Sequence, residues 1–178
     1  MEDRPVGWYR ELPVRAAGDV TAVVLHATET PDLESARRLA EDGTSRVCGH
    51  LYIDRDGAAY RFVPLDRVAS HVRGRNTPSI GIELVNSGRY PDHFDSRRQE
   101  PSEDFTPAQI ATLKDVLRDL RRRFPGLREM VRHSDLDTAV VPASDDPSVL
   151  VRRRIDPGPR FPWAAVAAFW DQISDAST

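Results

Sequence analysis

Ala22-Val23-Val24-Leu25, with His26 at its end and Thr30-Pro31 shortly after, is the stretch from which the fold can be read. An apolar run this short fits a central strand, covered on both faces, better than a helix. Thr30-Pro31 pairs a capping residue with proline at the first helical position. It predicts a helix from about Asp32 to Glu41 with Leu33, Ala36 and Ala40 on one face. Strand followed directly by helix predicts α/β or α+β.

Outward from that unit, His50 to Val63 reads as a hairpin turning at Asp54-Arg55-Asp56-Gly57. In Ser79-Ile80-Gly81-Ile82-Glu83-Leu84-Val85-Asn86, strand alternation puts Ile80, Ile82 and Leu84 on one face and Glu83 on the other, with Gly81 leaving space beside it. Ser87 to Asp104, rich in proline and charge, predicts a long surface loop directly after Glu83. Thr106-Pro107 repeats the cap-plus-proline signal and opens the clearest helix, with Ile110, Leu113, Val116, Leu117, Leu120 and Phe124 at helical spacing, ending before Pro125. Glu129 to His133 reads as a short strand and Ser134 to Arg153 as loop. Asp156-Pro157-Gly158-Pro159 reads as a rigid turn, and Trp163 to Ile173 as a closing helix. The sum is a mixed α/β fold, one domain with a central mixed β-sheet flanked by helices.

The 178 residues, 39% hydrophobic and 30% charged, suffice for one core. A net charge of -3 provides no positive field for a polyanion, so nucleic acid is not expected as a partner. Met1-Glu2-Asp3-Arg4-Pro5 is charged and is not followed by an apolar run fit for a signal peptide or membrane span, so a cytoplasmic protein is expected. Cys48 is the single cysteine and is expected to be a small buried thiol. Lys114 is the only lysine.

Two histidines at strand ends, His26 and His133, and Asp156 in a proline-braced turn could form a three-ligand metal site. No compact motif such as His-Glu-x-x-His is present. The spacing alone fits better with buried histidines satisfied by backbone, and it also permits an Asp156 that caps its turn and a Glu83 paired with an arginine.

Five blocks taken in order resemble the type 2 N-acetylmuramoyl-L-alanine amidases: Val24-Leu25-His26-Ala27-Thr28; His50 to Gly57; Ser79 to Asn86; His133-Ser134-Asp135; and Asp156-Pro157-Gly158-Pro159 with Trp163. The resemblance runs from about residue 20 to residue 165 within one amidase domain over 1–178. It implies zinc held by His26, His133 and Asp156 at one edge of the sheet, under the loops 87–104 and 134–153. It also implies Glu83 as the base that activates water, and Arg154 where relatives commonly carry a lysine that stabilises an oxyanion. Arginine can supply that charge but cannot donate a proton. His71 falls near the substrate groove, with Ser70 in place of the family's usual tryptophan. His50 falls near the site in relatives, although hairpin alternation equally permits a core role. His93 is expected to be solvated.

The implied function is hydrolysis of the amide between N-acetylmuramic acid, or its anhydro form, and L-alanine. The implied partners are peptidoglycan or soluble (anhydro)muropeptides, and the protein is expected to be a monomer engaged in muropeptide recycling, although release of the phage type would need no export signal either. The rivals are a peptidoglycan-binding module without activity and a metal amidase with another substrate. The connection 134–153 is longer than the family's usual link, which leaves substrate preference open.

Overall fold

The computed structural model describes residues 1–42, 44 and 47–175; the remaining positions of the expected 1–178 domain lie outside the described residues. Its centre is a six-stranded mixed sheet in the order β1-β4-β3-β5-β2-β6: β1 Glu2–Asp3, β2 Ala22–Ala27, β3 Leu51–Ile53, β4 Ala59–Arg61, β5 Ser79–Leu84 and β6 Glu129–Arg132. Only the β3–β4 hairpin is antiparallel. β2 lies between β5 and β6, and every one of its residues is buried, as its continuous apolar run demands.

Alternation divides two cores between the faces of the sheet. Val23, Leu25, Ile80, Ile82 and Leu84 face helices α2 (Pro107–Arg123) and α4 (Trp163–Asp175), burying Leu113, Leu117, Leu120, Val166 and Trp170. The opposite face carries α1 (Leu33–Glu41) and the N-terminal segment, with Ala36, Ala40, Trp8, Tyr52 and Phe62 packed together. Burying a leucine such as Leu117 contributes about 1.5–3 kcal/mol.

Thr106 caps α2, as expected, by accepting the Gln109 amide at 3.0 Å, and Gln109 Oε1 in turn accepts the Thr106 amide, a reciprocal arrangement that the structure adds. The start of α1 differs from expectation. Asp32 is the cap, accepting the Ser35 amide at 2.6 Å, and Thr30 instead bonds Thr28 Oγ1 and the Asp32 carbonyl. Pro31 therefore precedes the helix, and the Asp32 carboxylate accepts the exposed amide of its first turn.

The connection 134–153 is also more ordered than a loop. It holds a helical turn, α3 His133–Leu136, and a separate hairpin of β7 Val140–Pro142 and β8 Leu150–Arg152. This hairpin is bonded to the loop after β5: the Ser144 amide donates to the Phe94 carbonyl and the Ser96 amide to Asp145. Among the described residues no helix is long and apolar enough to cross a membrane.

Candidate metal centre and active site

The parallel register of β2 and β5 sets His26 directly beside Glu83 on the face that carries α1. β6 ends at Arg132, so His133 begins the helical turn α3 instead of closing the strand, and its ring turns back toward His26. The turn at Asp156 brings the third group: the Ser134 amide donates to the Asp156 carbonyl, tying the two segments together. His26 Nδ1, His133 Nδ1 and Asp156 Oδ2 lie 3.0–3.1 Å from one another, all three side chains buried.

The chemistry of this donor set fits a small divalent cation. Two imidazole nitrogens and a carboxylate oxygen are ordinary zinc ligands, and tetrahedral bonds of about 2.0–2.1 Å place donor atoms about 3.3 Å apart. Asp156 Oδ1 is buried with no hydrogen-bond partner, which is costly for a carboxylate unless a cation is near. Burial lowers the pKa of His26 and so favours the neutral ring that binds a metal. Burial alone would raise the Asp156 carboxyl, but the His133 and His26 rings beside it outweigh that and hold it below the usual range.

Glu83 Oε1 is 4.0 Å from His26 Nδ1, and burial, reinforced by the Asp156 charge, pushes its pKa up to about 8. A carboxylate so placed can take a proton near neutral pH. Gly49 on the approach to β3 makes room for it, since a Cβ there would lie 2.7 Å from Glu83 Cγ.

A cavity of about 110 Å³ joins these groups to Arg154 and His93. It continues past His133 and Arg154 into a groove of about 330 Å³ that also contains Arg73 and Arg153, and past Glu83 into an apolar pocket with Leu39, Ala40 and Tyr52. Arg154 has no hydrogen bond or ion pair among the described residues, and its charge is felt at both His26 and Glu83.

His50 and His71, the two histidines assigned to substrate contact, are less exposed than that role suggests. His50 is fully buried: Nδ1 accepts the Gly81 amide at 3.0 Å, Nε2 faces the Arg67 carbonyl at 3.0 Å, and burial with the Arg15 charge pushes its pKa down to about 3. Its placement supports the core role and offers no surface to a substrate. His71 does line the cavity, but its Nδ1 is 3.0 Å from His26 Nε2 and its Nε2 is 3.2 Å from Ser79 Oγ. Burial takes its pKa well below the ordinary histidine value, so the ring is neutral.

Several groups escaped the reading of the sequence. His93, expected in solvent, has Nε2 3.1 Å from the Glu29 carbonyl and forms part of the cavity wall. Glu29 and Arg89, both buried, form a two-pronged ion pair at 2.7 and 3.0 Å behind that wall. The position of Arg89 and His93 in the long loop after Glu83 was the only available signal. Cys48 is buried as expected, and burial pushes its thiol up to about 12.

The chain is similar to known proteins in sequence and in fold. A family model described as N-acetylmuramoyl-L-alanine amidase matches residues 16–159. The endolysin of Enterobacteria phage K11 is 34% identical over 105 residues, covering 59% of this chain and 64% of its own length. The 1,6-anhydro-N-acetylmuramyl-L-alanine amidase AmpD of Escherichia coli K12 is 32% identical over 146 residues, covering 77% of this chain and 66% of its own length. The chain thus matches just under two thirds of either relative. The solved N-acetylmuramoyl-L-alanine amidase LysC of Clostridium intestinale URNW shares the fold, with a TM-score of 0.69 at 22% identity, over 96% of this chain and 97% of that one.

Proposed function

Since the chain belongs to the N-acetylmuramoyl-L-alanine amidase family, we propose that it hydrolyses the amide between N-acetylmuramic acid, or its anhydro form, and the L-alanine of the stem peptide, using zinc. The observation that carries this reading is the convergence of His26, His133 and Asp156 with Glu83 alongside. Such a group of ligands with a base at hand fits hydrolysis better than passive binding.

Zinc held by His26, His133 and Asp156 would supply a Lewis acid that polarises the amide carbonyl and makes water a nucleophile at neutral pH. Glu83 takes the proton of the attacking water and returns it to the leaving L-alanine nitrogen, a double role for which a pKa raised by burial is suited. Arg154, whose guanidinium is uncommitted among the described residues, stabilises the negative charge developing on the carbonyl oxygen. It holds its own proton throughout, so Glu83 is the group that moves protons.

The substrate side rests on the similarity to a 1,6-anhydro-N-acetylmuramyl-L-alanine amidase, which extends over more of this chain than the similarity to the phage endolysin. Soluble muropeptides are accordingly the proposed substrates, in a cytoplasmic recycling role, with residues 1–178 acting as one monomeric amidase domain.

The test is zinc content of the purified protein together with release of L-alanine-headed peptide from a defined anhydromuropeptide, with and without chelator. Stoichiometric zinc and chelator-sensitive release are expected. Glu83→Gln should keep zinc and lose turnover, and His133→Ala should lose both. Zinc without release from any muropeptide would overturn the amidase reading, and absence of zinc would overturn the ligand assignment.

A further inference from the structure

Ser79 and His71 link His26 to a backbone carbonyl, and the far end of that link dictates its direction. The Arg75 carbonyl oxygen can only accept a hydrogen bond. Ser79 Oγ lies 2.5 Å from it, so the single hydroxyl proton points there; turned elsewhere, two oxygens would face each other with lone pairs at that distance. The hydroxyl then has only lone pairs for His71 Nε2 at 3.2 Å, and Nε2 must carry the proton of the neutral ring. His71 Nδ1 is thereby bare. It accepts from His26 Nε2 at 3.0 Å, which places the His26 proton on Nε2 and leaves Nδ1 with a free lone pair. That Nδ1 is the atom grouped with His133 and Asp156.

From this geometry we propose that His71 and Ser79 are positioning residues that set the tautomer and ring orientation of His26, presenting its Nδ1 lone pair to the metal. The proposal rests on His26, His133 and Asp156 being the ligands. Two further observations hold His71 in one pose. A Cβ at Gly81 would lie 2.6 Å from His71 Cγ and Nδ1, so the glycine is what admits the ring. Asn76 Oδ1 accepts the backbone amides of both His71 and Val72, at 3.0 and 2.8 Å, which anchors the segment. The ring therefore supports a ligand from behind and has no nitrogen left for substrate, in contrast to the role its sequence position implies. Outer partners of this kind typically contribute a factor of about 10–100 in metal affinity.

The experiment combines a ring-nitrogen measurement on the native protein with a zinc titration. In protein labelled with 15N-histidine and loaded with zinc, long-range proton–nitrogen correlations should show both His71 and His26 protonated on Nε2. Zinc affinity, measured by competition with a chromophoric chelator, should fall by about 10–100-fold in His71→Leu and recover substantially in His71→Gln, whose amide oxygen can accept from His26. Ser79→Ala should move His71 partly to its other tautomer. A His71 ring protonated on Nδ1 in the native protein would overturn the proposal, and so would a folded His71→Leu protein with zinc affinity within twofold of native. If the native protein takes up no zinc at all, the ligand assignment itself fails, an outcome distinct from tight zinc binding with the wrong tautomer.

Discussion

Arg89 binds Glu29 through two parallel hydrogen bonds, Nε to Oε1 at 2.7 Å and Nη2 to Oε2 at 3.0 Å, with the guanidinium almost wholly buried. Its remaining protons go to Gln99 Oε1 and to the carbonyls of Arg152 and Arg153. One side chain thus joins the segment after His26, the loop after Glu83 and the segment before Asp156. A buried charge is tolerated only when fully partnered, and here all five guanidinium protons have acceptors.

Arg89→Met should therefore leave Glu29 as an unpaired buried carboxylate and destabilise the fold by ~3–5 kcal/mol, a fall in Tm of roughly 6–20 °C. The double variant Arg89→Met with Glu29→Leu should regain much of that loss. Thermal unfolding of the three proteins decides the matter, and a single variant within ~1 kcal/mol of native would show that the pair is not stabilised by mutual burial.

Gly49→Ala places a methyl group 2.7 Å from Glu83 Cγ without touching a proposed ligand. The carboxylate must shift, and a displacement near 1 Å is worth up to ~10²-fold in rate. Turnover should fall by at least about tenfold while zinc stoichiometry stays unchanged. Native turnover in this variant would mean that the position of Glu83 is not critical.

Arg154→Ala should lower kcat by ~10²–10³-fold with little change in zinc content, since it removes charge from the cavity and breaks no hydrogen bond or ion pair among the described residues. Arg154→Lys should restore most of the rate. Full activity of the alanine variant would move oxyanion stabilisation to another group.

Glu103 closes the 87–104 loop, accepting from Arg55 at 2.6 and 3.0 Å and from the Ser87 amide at 2.6 Å. Burial opposes its ionisation, but the Arg55 and Ser87 bonds win and depress its folded pKa to about 2. Its stabilising contribution, ~1–3 kcal/mol, is thus present above the unfolded pKa of about 4.3 and lost as pH falls toward about 2. Denaturant unfolding of native and Glu103→Gln proteins should differ at pH 7 and converge over that interval. A constant difference would remove the charge from the explanation.

Much of the fold was legible because local pattern and burial coincide. The apolar run of β2, the alternation that sets Glu83 apart from Ile80 and Ile82, and the capped start of α2 were all read from neighbouring residues. The hairpin at 140–152 was not: its strands are three residues long, largely exposed, and one contains Pro142, so neither periodicity nor propensity marks them. The cap of α1 was misplaced by two residues because Thr30 and Asp32 both suit the role and only backbone geometry selects between them.

By itself the sequence determined the central strands β2 and β5, the helix α2, the faces on which their side chains lie and, through the resemblance, the family with its candidate ligands. The tertiary structure alone decided which polar groups meet. His26 reaches Asp156 across 130 positions and Arg89 reaches Glu29 across 60, while His50 and His71, both candidates for substrate contact, turn their nitrogens to the protein's own groups. The reason is physical: apolar burial follows a period written in adjacent residues, whereas a buried polar atom is stable only with a specific partner. The partner's identity depends on how distant segments pack.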